Sequence, residues 1–174
     1  MCKHGFGIMF VEHDKVQVIK GCFELDEVEE LIARYDRHEL VCHFRYRTSG
    51  ELNEQNCQPL KVLSLDDGDP LDLHVVHDGI LHSVRADNER SDSRVFADDY
   101  LKPILRKNSA VLFQTDFQTL LSDAVGASNK LIFMDHTGRT IAINERSGFR
   151  EDGVWYSSRY PLFASSRKQK SQPC

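Results

Sequence analysis

Between Leu40 and Arg47 the side chains alternate in character. Leu40, Cys42, Phe44 and Tyr46 fall on one face, and Val41, His43, Arg45 and Arg47 fall on the other. Successive Cβ atoms of a strand point to opposite faces, so a period of two demands a strand. One face is apolar and suited to a core. The other aims His43 and Arg45 the same way, just before the polar stop Thr48-Ser49-Gly50. The chain must therefore build a sheet with a buried face and a polar strand end. The remaining segments have to fit that requirement.

They predict an α+β fold. Residues 5–11 are apolar and 16–19 alternate, with the polar turn Glu12-His13-Asp14-Lys15 between them. Gly21-Cys22 closes this hairpin. Leu25, Val28, Leu31, Ile32 and Tyr35 recur at helical spacing, with Glu27, Glu29, Glu30 and Arg34 on the wet side. Residues 51–58 read as a polar loop, Asp66-Asp67-Gly68-Asp69-Pro70 as a turn, and 71–76 as a buried strand. Ser91 is placed to cap a helix carrying Val95, Phe96, Tyr100, Leu101, Ile104 and Leu105. Pro103 is expected to end or kink that helix. A second helix, 116–125, directs Phe117, Leu120, Leu121 and Ala124 inward and stops at Gly126 or Asn129. Residues 130–134 and 140–143 flank the turn Asp135-His136-Thr137-Gly138, and 153–157 form a last strand. Strands come first and last with helices between, and βαβ alternation is absent.

Length and charge narrow the function classes. A chain of 174 residues suits one domain, here residues 1–163, followed by a polar tail at 164–174. A net charge of −5 argues against general nucleic-acid binding, which needs concentrated Lys and Arg. No apolar run approaches the roughly 18 residues of a membrane span. Lys3, His4, Glu12, His13 and Asp14 leave no apolar signal segment. Cys2, Cys22, Cys42, Cys57 and Cys174 form no CxxC pair and read as thiols in a reducing cytoplasm. Of these, Cys42 reads as core, and Cys22 and Cys57 as incidental. His74, His77 and His82 with Asp78 match no usual zinc spacing, and strand residues 74 and 77 point apart, so no metal is expected.

Position 2 carries chemistry of its own. If Met1 is removed, Cys2 holds a thiol and a free α-amine in one residue. The amine's reference pKa of about 7.7–8.0 leaves part of it basic near neutral pH, and the thiol's is about 8.5. Nucleophile and base then coexist in one residue.

Four segments in order carry a resemblance: Met1-Cys2-Lys3-His4-Gly5; His43-Phe44-Arg45-Tyr46-Arg47-Thr48-Ser49-Gly50 with Asn56-Cys57-Gln58-Pro59; His77-Asp78-Gly79-Ile80; and Ser91-Asp92-Ser93. Over about residues 1–160 the chain resembles the class II glutamine amidotransferase domain of the N-terminal-nucleophile hydrolase superfamily, as a small stand-alone member. The resemblance implies a four-layer αββα sandwich with largely antiparallel sheets and no cofactor. It implies that Cys2 attacks the side-chain amide of L-glutamine, forms a thioester and releases ammonia. Arg45 would hold the substrate carboxylate, and Asp92 its ammonium. Gly79 would donate its N–H to the oxyanion. Thr48, Ser49 and Gly50 would shape the pocket, with His77 in its wall. With no room for an acceptor domain, the ammonia would pass to a separate synthase or ligase in trans.

The chain departs from the family pattern at three points. Asp78 stands where the family has an oxyanion Asn, and an ionised carboxylate cannot donate a hydrogen bond. Lys3 stands for Gly, and Arg47 for a small residue. Two further readings follow: an amidase of the same superfamily with another substrate, or an impaired member acting as a binding or regulatory subunit. Outside the resemblance, Arg45 suits an ordinary strand salt bridge, Asp92 a first-turn helix acid, and Asp78-Gly79 a plain turn.

Overall fold

A computed structural model describes residues 5–21, 23–46, 48–51 and 53–159. Cys2, Lys3, Arg47 and the expected tail lie outside the described residues.

Two antiparallel sheets dominate. In the first, β1 (Phe6–Glu12) pairs with β2 (Lys15–Gly21) along its whole length. The two-residue turn between them, His13-Asp14, has both φ values positive, at 54° and 56°. That geometry matches the twist of a hairpin, and Asp tolerates it better than most residues. On the other edge of β1 lies β3 (Val41–Phe44), with Gly7 opposite His43. The second sheet runs β4 (Leu60–Leu63), β5 (Leu73–Asp78), β6 (Lys130–Asp135), β7 (Thr140–Ile143) in that order. A small hairpin, β8 (Phe149–Glu151) with β9 (Val154–Tyr156), forms a third sheet.

Strand alternation sorts the core into three clusters. Phe6, Ile8 and Phe10 of β1 pack against Val28, Leu31 and Ile32 of α1 (Leu25–Arg34). The intervening Met9, with Val11, meets Val76, Ile132 and Met134 of the second sheet. Leu73, Val75, Leu131 and Phe133 point the other way, onto the remaining helices. Those helices are α2 (Asp92–Val95), α3 (Lys102–Lys107) and α4 (Thr115–Val125), with a π-turn at Phe96–Leu101 joining α2 to α3. The fold is α+β, with antiparallel sheets and helices packed against them. No helix among the described residues is long and apolar enough to cross a membrane.

Several expectations change. The alternating strand is regular only over Val41–Phe44, and Tyr46 is 71% exposed. Pro103 does not end its helix. It sits at the start of α3, directly after the wide turn Phe96–Leu101. Such a turn relieves the clash a proline makes with the preceding turn. Leu25 and Leu120 face solvent at 58% and 64% exposure, and Ala124 is exposed. In α4 the expected Phe117 and Leu121 do face the core, joined by Val125 in place of Leu120 and Ala124. Strands β4 and β8 were not expected; β4 is a four-residue segment whose alternation is broken by a bulge near Lys61 and Leu63.

Candidate functional site

The ends of β3 and β5 and the start of α2 enclose a narrow cleft of about 90 Å³. Arg45, Thr48, Ser49, His77, Asp78, Gly79 and Asp92 all line it, although more than 40 residues of chain separate the first from the last. His43, Asn56, Gln58 and Ser93 complete its walls.

The 48–50 turn is pinned to the helix start. Gly50 has φ +68°, and a Cβ on it would lie 2.6 Å from the Ser91 nitrogen, so only glycine fits this approach. Ser91 caps α2, its hydroxyl accepting from Arg94 N–H at 3.3 Å as expected. The buried Asp92 carboxylate joins three segments. It accepts from the Ser49 hydroxyl at 3.0 Å and from Leu81 N–H at 2.8 Å. Ser49 Oγ in turn accepts from Asp92 N–H at 3.3 Å. Asn56, almost fully buried, donates to the Glu51 and Glu89 carbonyls at 3.2 and 2.6 Å and accepts from Ser91 N–H at 2.9 Å.

His77 is locked on both ring nitrogens. Asn129 Nδ2 donates to the Val125 carbonyl at 2.6 Å, so Asn129 Oδ1 faces His77 Nε2 at 2.9 Å. This network assigns the proton to Nε2, and leaves Nδ1 to accept from Ser93 Oγ at 2.8 Å. The backbone is fixed too: Gln58 accepts from His77 N–H and donates to its carbonyl at 3.0 Å. Burial holds the imidazole below its ordinary range, opposed by the Asn129 hydrogen bond and the Asp92 and Asp78 charges. His77 is thus a strut of the cleft wall, with no ring nitrogen left to give to a ligand.

Two residues on, Gly79 has φ +134°. A Cβ there would come 2.2 Å from Asn129 Oδ1 and 3.1 Å from its Cα. Asn129 therefore sets both the His77 tautomer and the space for the Gly79 backbone. Asp78, partly exposed at the cleft, pairs with Lys130 Nζ at 3.6 Å across the β5–β6 ladder.

The β3 side of the cleft is less committed. Arg45 N–H donates to the Gly5 carbonyl at 2.9 Å. Its guanidinium donates to the Glu51 carbonyl at 3.0 Å and lies 4.0 Å from Cys57 Sγ. Among the described residues it forms no ion pair with a carboxylate, so most of its N–H fork remains available. Cys57, expected to be incidental, is 3% exposed and lies close behind Gly5. His43 lines the cleft with its Nδ1 buried and, among the described residues, without a hydrogen-bond partner. Burial pushes its pKa down to about 4, against the pull of Asp78, so the ring is neutral at neutral pH. Cys42, on the opposite face, packs toward α1, and burial pushes its thiol up to about 11.

The cleft thus gathers a guanidinium, a carboxylate, a neutral imidazole and a backbone kinked at glycine. Such a set can bind a small molecule bearing both charges through directional hydrogen bonds. Cys2 lies outside the described residues. Gln58, Ser93 and Asn129 were not anticipated as site residues. Asn56, Gln58 and Ser93 fell inside the motif segments, which was their only signal. Asn129 read as a helix stop. No model of a known protein family matches the chain, and no curated protein matches it.

Proposed function

We propose that the chain is a glutamine amidotransferase domain of the N-terminal-nucleophile type. One observation carries this reading: residues 43–46 and 48–49, 77–79 and 91–93, from three of the motif segments, line a single cleft. Its supporting chemistry is an Arg45 fork without an acidic partner among the described residues, opposite the buried Asp92 carboxylate. That pair suits the carboxylate and ammonium of an amino acid. The chain enters β1 at Gly5, whose carbonyl holds Arg45 N–H. Cys2 is three residues earlier, so covalent reach tethers it within about 11 Å of Gly5.

On this reading Cys2 sulfur adds to the glutamine side-chain amide, with its own α-amine moving the proton. Ammonia leaves, a glutamyl thioester remains, and water releases glutamate. The Gly79 N–H donates to the oxyanion, while Thr48, Ser49 and Gly50 close the pocket. The two sheets with helices outside them are read as the αββα sandwich of this superfamily. The ammonia goes to a separate synthase or ligase in trans, in the cytoplasm.

The Asp78–Lys130 pair favours a second reading, a subunit that binds glutamine without turning it over. A carboxylate near the oxyanion repels it, and losing one such donor costs about 10²–10³ in rate. Ammonia release from L-glutamine, with Cys2→Ala as control, separates the two. Cys2-dependent release supports the enzyme. Glutamine binding without release supports the subunit, and neither refutes both.

A further inference from the structure

One side chain outside the cleft grips the residue on which its β5 wall rests. Asn144 follows β7 and does not line the cleft. It takes the left-handed conformation at φ 61°, which Asn tolerates better than most residues. Its amide is spent on the end of α4 and the turn after it. Nδ2 donates to the Gly126 carbonyl at 3.1 Å and to the Asn129 carbonyl at 2.8 Å, and Oδ1 accepts from the Ser122 hydroxyl at 2.6 Å. Carbonyls only accept, so these two partners fix which amide atom is the nitrogen. Closing the end of α4 accounts for the bonds to Ser122 and Gly126. It does not account for the bond to Asn129, which lies beyond the helix. Asn129 is 3% exposed and meets the cleft twice. Its Oδ1 faces His77 Nε2 at 2.9 Å, and its Cα would lie 3.1 Å from a Cβ on Gly79. Cα is backbone, so no change of rotamer moves it aside. The seat of Gly79 therefore depends on where the Asn129 main chain lies, and Asn144 holds that main chain at its carbonyl.

We propose that Asn144 is a positioning residue of the cleft: by holding the Asn129 main chain it sets the place of the Gly79 backbone and the His77 ring in the β5 wall. Asn144 touches no substrate and moves no proton. Its effect on turnover rests on the glutamine reading above, whereas its effect on the wall does not. A displacement of about 1 Å from a distant substitution can cost about 10²-fold in rate. Arg45, held by the Glu51 carbonyl, and Asp92, held by Ser49 and Leu81, make none of these bonds, so the head-group clamp is retained when Asn144 is changed.

The test compares the wild type with Asn144→Gly, Asn144→Asp and Ser122→Ala, each checked for folding by thermal melting. Asn144→Gly keeps the left-handed backbone and removes the amide, and Asn144→Asp keeps the shape and loses both donors. Ser122→Ala removes only the bond at Oδ1. The readouts are the NMR signals of the Gly79 amide and the His77 ring nitrogens, and steady-state ammonia release from L-glutamine. In both Asn144 variants the Gly79 and His77 signals should move, and in Ser122→Ala they should stay at their wild-type positions. The Asn144 variants should lose about tenfold or more in kcat with KM little changed. A folded Asn144 variant with unmoved Gly79 and His77 signals overturns the proposal. So does an equal displacement in Ser122→Ala, which would assign the effect to the end of α4 as a whole. So does an active wild type whose folded Asn144 variants keep a third or more of kcat. A wild type with Met1 removed that releases no ammonia overturns the glutamine turnover, and the NMR signals then decide the positioning role by themselves.

Discussion

The two walls of the cleft differ in how much of their hydrogen-bonding capacity the fold consumes. On the β5 wall, His77, Gln58, Ser93 and Asn129 satisfy one another, and Gly79 is pressed against Asn129. On the β3 wall, Arg45 spends part of its fork on a backbone carbonyl and His43 leaves a nitrogen unmet. A satisfied buried network rigidifies what it holds, and an unsatisfied one is the natural place for a ligand. One wall is therefore committed to the scaffold and the other keeps hydrogen-bonding capacity in reserve, even though both present a histidine.

That contrast breaks first at Gly79. Gly79→Ala adds a methyl at φ +134° against Asn129, and should destabilise the chain by on the order of 4 kcal/mol in chemical denaturation. A loss below about 1 kcal/mol would mean that the β5 wall yields, and that its packing is not the scaffold described. The histidines sharpen the contrast next. His77→Phe strands Asn129 Oδ1 and the Ser93 hydroxyl, and should cost about 2–3 kcal/mol. His43→Phe replaces a ring whose Nδ1 is unpartnered among the described residues, and should stay within about 1 kcal/mol of wild type. Equal losses would erase the difference between the walls.

The pH response tests the same burial without a substitution. His43 and His74 are held neutral by burial, down to about 4 and about 3, whereas the unfolded chain protonates near the ordinary value of 6.5. Between those values the unfolded state binds more protons, so stability rises with pH there. The contribution is complete above about pH 6.5 and is lost progressively as pH falls toward 4 and then 3. Denaturation midpoints at pH 7.5, 5.5 and 4.5 should decline in that order. In His74→Leu the decline should be shallower. An unchanged slope in that variant would remove His74 from the account.

Much of the fold was legible because local chemistry repeats it. The hairpin turn at Glu12 to Lys15, the Ser91 cap and the Gly126 stop each emerged where the sequence carried a turn or cap residue. Misreadings arose where tertiary context decided. Leu120 and Leu121 are equally apolar, and only the packing of α4 says which is buried. Pro103 is tolerated through a π-turn that has no sequence signature. For the site, residues with strong intrinsic chemistry, such as Arg45, Asp92 and Gly79, stood out in the chain. Asn129 and Gln58 did not, because their role is set by a partner 52 or 19 residues away. An amide's usefulness depends on what it faces, and a linear pattern does not encode that.

The central claim is that this cleft is completed by an N-terminal thiol that opens the side-chain amide of glutamine. Its most direct test is ammonia release from L-glutamine by the chain with Met1 removed, measured beside Cys2→Ala. The account predicts release that falls to background in Cys2→Ala while the variant remains folded. Equal release by both proteins, or none by the wild type, would contradict it.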